Sequence, residues 1–404
     1  MSSTTTPTAG DSVLGDEHGG LLERPVSRRT TPSERARRRL RGRPELYTAY
    51  AQDMSLLNTP AKRNSVLAIC AFALWMAFVL PNDLVVLFAT AFALCIGAIG
   101  LNIVTGYAGQ VSLGHAFFVG LGAYTGAILS GPTDGRLLGF GLTEIWIWLP
   151  AAGVVAAVAG LAVAPLALRL KGLYLAIVTL GLVFVGDHVF KEAKTLTGGA
   201  GVGRSAAVPS IGGVRLDLDG ALFGVFLSKG QKLYLLAFLL LVIAAVIGRN
   251  LARSDLGRSF SAVRDRDIAA EVIGVNLTRA KVLAFGISSF YAGVCGALLF
   301  TITGFIEPGS LNLLLSVRFI AMILVGGVAT ISGSIMGALF IGTLGRVSRD
   351  LATQLPSAIA LSPELLEALL YGVLIIGFLI LEPRGLFGIW LRVRNYWKGW
   401  PFSY

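Results

Sequence analysis

Gly100-Leu-Asn-Ile-Val-Thr-Gly-Tyr-Ala-Gly-Gln-Val-Ser-Leu-Gly-His-Ala-Phe-Phe-Val-Gly-Leu-Gly-Ala-Tyr-Thr-Gly126 sets a polar, glycine-rich turn between two apolar runs. The middle, Thr105 to Gly114, is too polar to face lipid. At membrane depth such a backbone must line a cavity or be buried in protein. The stretch therefore reads as an interior corner of a helical membrane protein. Composition points the same way: 54% of residues are hydrophobic and only 14% charged. A soluble chain of this length would need more charge to cover its surface.

Outward from this corner, apolar runs approach the roughly 20 residues needed to cross a bilayer. Hydropathy predicts ten spans, near 65–80, 83–103, 114–130, 145–168, 172–190, 233–248, 281–304, 312–328, 332–347 and 366–381. The fold class is thus all-α membrane protein with about ten transmembrane helices. An even number puts both termini on one side. The basic tail, with Arg28, Arg29, Arg35, Arg37, Arg38, Arg39, Arg41 and Arg43, puts that side in the cytoplasm. The formal charge of +11 then reflects membrane topology and contact with anionic lipid, not nucleic-acid binding. Residues 1–63 read as a disordered basic cytoplasmic tail, 64–390 as the membrane domain and 391–404 as a cytoplasmic C-terminal tail. No short apolar core lies within about the first 30 residues, so the reading keeps the tail on the protein.

The loop 191–232 falls outside on this topology, although Lys191, Lys194, Arg204, Arg215, Lys229 and Lys232 outnumber Glu192, Asp217 and Asp219. Its middle suits a small external hairpin. Gly122–Gly126 and Gly333–Gly337 have the small-xxx-small spacing that lets helices approach closely. Spans 2–5 and 7–10 run in opposite senses by parity, which suits an inverted-repeat core. Cys70, Cys95 and Cys295 lack disulfide or metal spacing and read as small buried side chains.

Gly198-Gly-Ala-Gly-Val-Gly-Arg204-Ser205 has the spacing of a phosphate-binding loop, but Arg replaces the required Lys and no buried strand precedes it. The chain is expected to bind no ATP, metal or other cofactor itself. Charge within the spans is sparse: Asp187 and His188 near the end of the fifth, and Arg318 early in the eighth, each able to reach the interface. Ion-coupled carriers place carboxylates inside their spans. Energy is therefore expected from elsewhere, and the charged segment Arg249–Lys281 is where it would enter. Its centre, Ala262-Val-Arg-Asp-Arg-Asp-Ile-Ala-Ala-Glu-Val-Ile-Gly274-Val275, predicts one amphipathic helix. Ile268 with Val272, and Ala269 with Ile273, form an apolar stripe, and Gly274 is the stop. Charge pattern alone fits either a docking helix or a solvated loop.

Here the residues carry a resemblance. The Gly100–Gly126 stretch resembles the signature of the membrane subunits of branched-chain amino acid ABC importers, the LivM type in particular. Arg169-Leu-Lys-Gly-Leu-Tyr-Leu-Ala-Ile-Val-Thr-Leu-Gly181, Leu196-Thr-Gly-Gly199, Ala269-Ala-Glu-Val-Ile-Gly274, Glu307-Pro-Gly-Ser310, Gly326-Gly-Val-Ala-Thr-Ile-Ser-Gly333 and Glu382-Pro-Arg-Gly-Leu-Phe387 follow in the same order. Val272-Ile273 stands where that family more often has Ala-Met, and the basic N-terminal extension has no counterpart in its common core.

The resemblance implies an importer permease with a cytoplasmic coupling helix in the loop 249–280, in a bacterial inner membrane. A sister permease subunit would complete the pathway. Two cytoplasmic ATP-binding subunits would carry ATP and Mg, and an extracytoplasmic solute-binding protein would deliver leucine, isoleucine or valine. Arg264, Arg266 and Glu271 would make polar contacts to the ATPase, with Ile268, Ala269 and Val272 filling its groove before Gly274. Asn102, Gln110, Ser112 and His115 either line the translocation pathway or hold the polar turn together. Urea, short amides or another small polar solute would suit the same architecture. A secondary transporter working without an ATPase is the reading from a different class.

Overall fold

Each apolar run forms a helix in the computed structural model, which describes residues 60–133, 137–170, 172–222, 224–354 and 362–399. The basic tail up to residue 59, Lys171 and the end of the chain after Gly399 lie outside the described residues. The ten helices in the runs are α1 (Pro60–Val79), α2 (Asn82–Asn102), α3 (His115–Ser130), α4 (Ile145–Arg169), α5 (Leu173–Glu192), α6 (Lys229–Arg253), α9 (Leu277–Thr303), α10 (Leu313–Gly326), α11 (Ile331–Gln354) and α12 (Pro363–Leu381). Two shorter helices, α7 (Asp255–Asp265) and α8 (Asp267–Val272), lie between α6 and α9. A further helix, α13 (Gly385–Gly399), follows α12.

The chain is an all-α membrane protein, though ten uniform spans do not describe it. Among the described residues seven helices are long and apolar enough to cross a bilayer, or eight if α12 and α13, bent by 43°, count as one broken span. The apolar part of α1, Arg63–Val79, and α3 are shorter. For α3 the reason is local: the polar turn takes up the residues that would complete it. Its 16 residues reach about 24 Å at 1.5 Å each. Within the expected C-terminal tail, residues 391–399 continue α13.

Helix ends follow from the sequence. Ser228 and Gln231 form a reciprocal cap on α6. Asn276 accepts from Arg279 N at 2.9 Å to start α9, and Asn312 accepts from Leu315 N at 3.3 Å to start α10. Each satisfies an amide that the first turn leaves without a helical partner.

α9 packs against α4, α3 and α2, and α2 packs in turn against α6 and α11. Glycines make these crossings close. A Cβ at Gly122 would lie 2.1 Å from the Gly293 carbonyl oxygen, and one at Gly296 would lie 1.9 Å from that of Val119. At Gly337 it would meet the Met322 oxygen at 1.9 Å. Both small-residue spacings in the sequence are thus helix contacts.

α6 runs from the 191–232 loop to the charged segment, so these two polar regions lie at opposite ends of a 25-residue helix. The loop forms two hairpins, Ser210–Ile211 with Val214–Arg215 and Gly220–Leu222 with Val225–Leu227. Its excess of bases is largely paired. Arg215 bonds Asp217 at 2.6 Å, and Lys191 bonds Asp187 at 2.7 Å. Lys232 donates to the Leu218 carbonyl at 2.9 Å. Arg204, buried in the glycine-rich run, donates to the carbonyls of Leu196, Ala127 and Leu138. Arg204–Ser205 also pairs with Phe305–Ile306. The run is a structural clasp between the loop, α3 and the end of α9.

Arg318 does not reach out of the bundle. It lies 3.7 Å from Glu367 of α12 and over the Tyr371 ring at 6.0 Å, while the Tyr371 hydroxyl donates to Glu367. A charge in an apolar setting is costly unless paired. That requirement draws α10 and α12 together.

Candidate functional site

The polar turn is built from a widened helix end. α2 continues into a π-helical turn, Ile103–Tyr107, before the chain reverses through Gly109 at a φ of +67°. π-turns recur at functional positions because they expose backbone groups that an α-helix would occupy. Gln110 N donates to Val104 O at 2.9 Å, and Thr105 Oγ1 donates to Gln110 O at 3.2 Å. The far side is pinned to α5, where Leu113 N donates to Thr179 Oγ1 at 2.9 Å.

The four polar residues of this region separate into two kinds. Asn102 is fully buried and saturated. Its amide donates to Thr330 O at 3.0 Å and Ser334 Oγ at 2.6 Å, and its oxygen accepts from Ala329 N at 2.8 Å. Those bonds hold the α10–α11 corner, where Ala329 has a φ of +58°. Ser112 accepts from Gly114 N at 3.3 Å and so braces the turn itself. Gln110 is different: it is 5% exposed, yet neither amide atom has a hydrogen-bond partner. His115 is buried, with its ring edge-on to Phe319 at 4.8 Å and Nε2 unpartnered. Buried polar groups are normally satisfied. Gln110 and His115 therefore retain capacity that Asn102 and Ser112 have used.

The charged segment lies beside this turn. The single helix expected over Ala262–Val275 is two helices, because Arg266 adopts extended backbone (φ −159°, ψ 110°) and starts α8 anew. Phe260 and Val263 of α7 and Ala270 of α8 are buried. Ile268, Val272 and Ile273 instead stand 78%, 82% and 75% exposed, with Ala269, Glu271 and Arg266 also at the surface. Gly274 closes α8 at a φ of +87°. Sequence reading overlooked the anchor of α8: Asp267 pairs with Lys281 of α9 at 3.0 Å, and the Lys281 side chain is nearly buried. Charged residues 14 positions apart leave no periodic signal. A cavity of about 450 Å³ lies beneath, lined by Leu168, Asp267, Glu271, Val275, Asn276 and Lys281 among others.

The Arg264 side chain, 38% exposed, reaches back to the turn. Nη1 donates to the Gly106 carbonyl at 3.1 Å, and Asp265 holds Nε at 3.0 Å. The side chain crosses Gly109, where a Cβ would meet Arg264 Cγ at 2.7 Å.

A bundle of apolar helices with an interior polar turn, and a short helix carrying apolar side chains beyond the spans, defines a multi-pass helical membrane protein. The chain belongs to the family described as branched-chain amino acid transport system / permease component, whose profile matches residues 84–379. It is 33% identical to the high-affinity branched-chain amino acid transport system permease protein LivM of Salmonella typhimurium over 264 residues, 62% of this chain and 60% of that one. The LivM protein of Escherichia coli K12 is 32% identical over the same shares. Similarity to the LivH permease of Salmonella typhimurium is 26% over 302 residues, 72% of this chain and 90% of that protein. A weaker match, 29% over 153 residues, is to the autoinducer 2 import system permease protein LsrC of Klebsiella pneumoniae, covering 37% of this chain and 42% of that one. The chain thus spans about 60% of the LivM proteins' length. No solved structure matches it.

Proposed function

We propose that this chain is one of two membrane subunits of an ATP-driven importer that brings leucine, isoleucine and valine across a bacterial inner membrane. A sister permease, related to it as LivH is to LivM, completes the pathway. Two ATP-binding subunits carry ATP and Mg on the cytoplasmic side, where both termini and α7–α8 lie. An extracytoplasmic solute-binding protein docks at the hairpin end.

The observation that carries this reading is the exposed face of α8. Ile268, Val272 and Ile273 project from a helix that lies outside the spans. Each is worth about 1.5–3 kcal/mol when taken out of water. A soluble ATPase with an apolar groove supplies that cover, with Ala269 in the same groove, Arg266 and Glu271 at its rim and Gly274 ending the contact. ATP binding moves the ATPases, α7–α8 follow, and the turn bearing Gln110 and His115 changes its surroundings. Solute passage then requires no carboxylate relay within the spans.

The test is labelled leucine uptake at low concentration in cells lacking the gene, with and without its restoration, against unlabelled isoleucine, valine and urea. Uptake restored by the gene and suppressed by isoleucine and valine supports the reading. A second reading, a different small polar solute such as urea, a short amide or a signalling molecule, draws on the similarity to LsrC. It gains if no gene-dependent leucine uptake is found while the partner subunits are expressed.

A further inference from the structure

The turn following α2 is a crossing point of three parts of the molecule. On one side Asn102 ties it to Ala329, Thr330 and Ser334 at the α10–α11 corner. At its far end it presents the unpartnered Gln110 amide. On the remaining side it meets α7, where Arg264 makes the bonded contact. That contact has two points: the guanidinium on the Gly106 carbonyl at 3.1 Å, and the aliphatic stem against Gly109, where the absence of a Cβ allows the approach. Asp265 holds Nε and Nη2 of the same guanidinium, each at 3.0 Å, fixing its direction. α7 also contacts the π-turn directly.

We propose that Arg264 is a positioning residue that carries movement of α7–α8 inward to the Ile103–Gln110 turn, and is not a docking contact for the ATPase. This rests on the reading of α8 as the docking face. A charge-assisted bond to a carbonyl is among the stronger polar links available to a helix. A stem packed on backbone transmits displacement without rotamer slack. When α7 shifts, the Gly106 carbonyl and Gly109 shift with it. Gln110, bonded into the same turn through the Val104 carbonyl and the Thr105 hydroxyl, then leaves or enters its closed surroundings.

The test uses the assembled complex of both permeases with its ATPase, in which Cys70, Cys95 and Cys295 are replaced and Gln110→Cys reports by maleimide labelling with and without ATP. ATPase retention is read in parallel by affinity pull-down. Arg264→Ala is expected to keep ATPase retention within about twofold while removing the ATP-dependent change in labelling. Gly109→Ala, with Arg264 intact, should reproduce that loss, and Arg264→Lys should restore part of the response. Elution of each complex at the parental size guards against misfolding. An ATP-dependent change that survives in Arg264→Ala overturns the proposal, and so does loss of ATPase retention in that variant. If the parental complex retains no ATPase, or Ile268→Asp with Val272→Asp leaves retention intact, the docking reading has failed and the inward route falls with it.

Discussion

Asn102 Nδ2 lies 2.6 Å from Ser334 Oγ, and the same side chain accepts from the amide of Ala329 at 2.8 Å. One amide thus closes the α2 end onto the α10–α11 corner and supports a non-glycine residue at a φ of +58°. Asn102→Leu strands the part-buried Ala329 N–H, while Thr330 O keeps the bonds from Ser334 N and Oγ. Stability is expected to fall by about 2–4 kcal/mol, seen as an earlier thermal transition of the purified protein in detergent.

Gln110 gives the opposite expectation. It forms no side-chain hydrogen bond in this state, so Gln110→Leu removes a desolvated amide and leaves no partner behind. Its unfolding transition should stay within about 1 kcal/mol of the parent or rise. Leucine uptake should nonetheless fall several-fold. An unfolding transition lowered as far as that of Asn102→Leu would show that Gln110 is structural.

The glycine contacts predict a sharp contrast between two single-methyl changes. Gly122→Ala drives a carbon to 2.1 Å from the Gly293 oxygen, whereas a Cβ at Gly181 meets nothing within 4 Å. The first should abolish recovery of folded protein. The second should be stable, gaining up to about 1 kcal/mol from helix propensity. Monodispersity after extraction into detergent separates them.

At the proposed docking face, Ile268→Asp with Val272→Asp alters side chains 78% and 82% exposed. Insertion and thermal stability should hold, while ATPase retention drops at least about tenfold. Glu271→Arg should likewise uncouple transport and leave the permease inserted. Surviving uptake and ATPase association in Glu271→Arg would move the docking face elsewhere.

The first hairpin of the 191–232 loop carries a pH dependence through Arg215 and the Asp217 that follows it. The Asp217 carboxyl is held below the ordinary carboxylate range, first by the hydrogen bond from Arg215 and then, against some desolvation, by its charge. A lowered folded-state value stabilises the hairpin at pH above the ordinary carboxylate value. That contribution is lost as pH falls through the depressed value. Hydrogen exchange of the 210–219 segment, corrected for intrinsic rates, should show protection decreasing in that acidic window. Asp217→Asn should flatten the response.

Much of this architecture is legible in the residues alone. The ten apolar runs become ten helices because apolar length and caps such as Asn276, Asn312 and Ser228 act locally. The small-residue spacings at Gly122 and Gly333 also act through adjacent turns of one helix. What escapes is whatever depends on distant partners. Asn102 and Gln110 are two amides in one polar turn, and only the position of Ser334, 232 residues away, shows that one is saturated. Arg318 reads as an interfacial cation until Glu367 arrives from α12. The break at Arg266 defeats periodicity for a similar reason: Asp267 is drawn to Lys281, and the α7 stripe turns inward while the α8 stripe turns out. Arg264 and Arg266 stand two positions apart in one charged run, yet Arg264 belongs to α7 and Arg266 caps α8.

The bare-backbone crossing of α3 and α9 has a mechanical consequence. With no side chains between Gly122 and Gly293, the two helices cannot slide past one another by exchanging rotamers. Any relative shift collides main chain with main chain. That seam therefore favours α3 and α9 moving as one body, with relative shifts left to helices whose contacts are made of side chains.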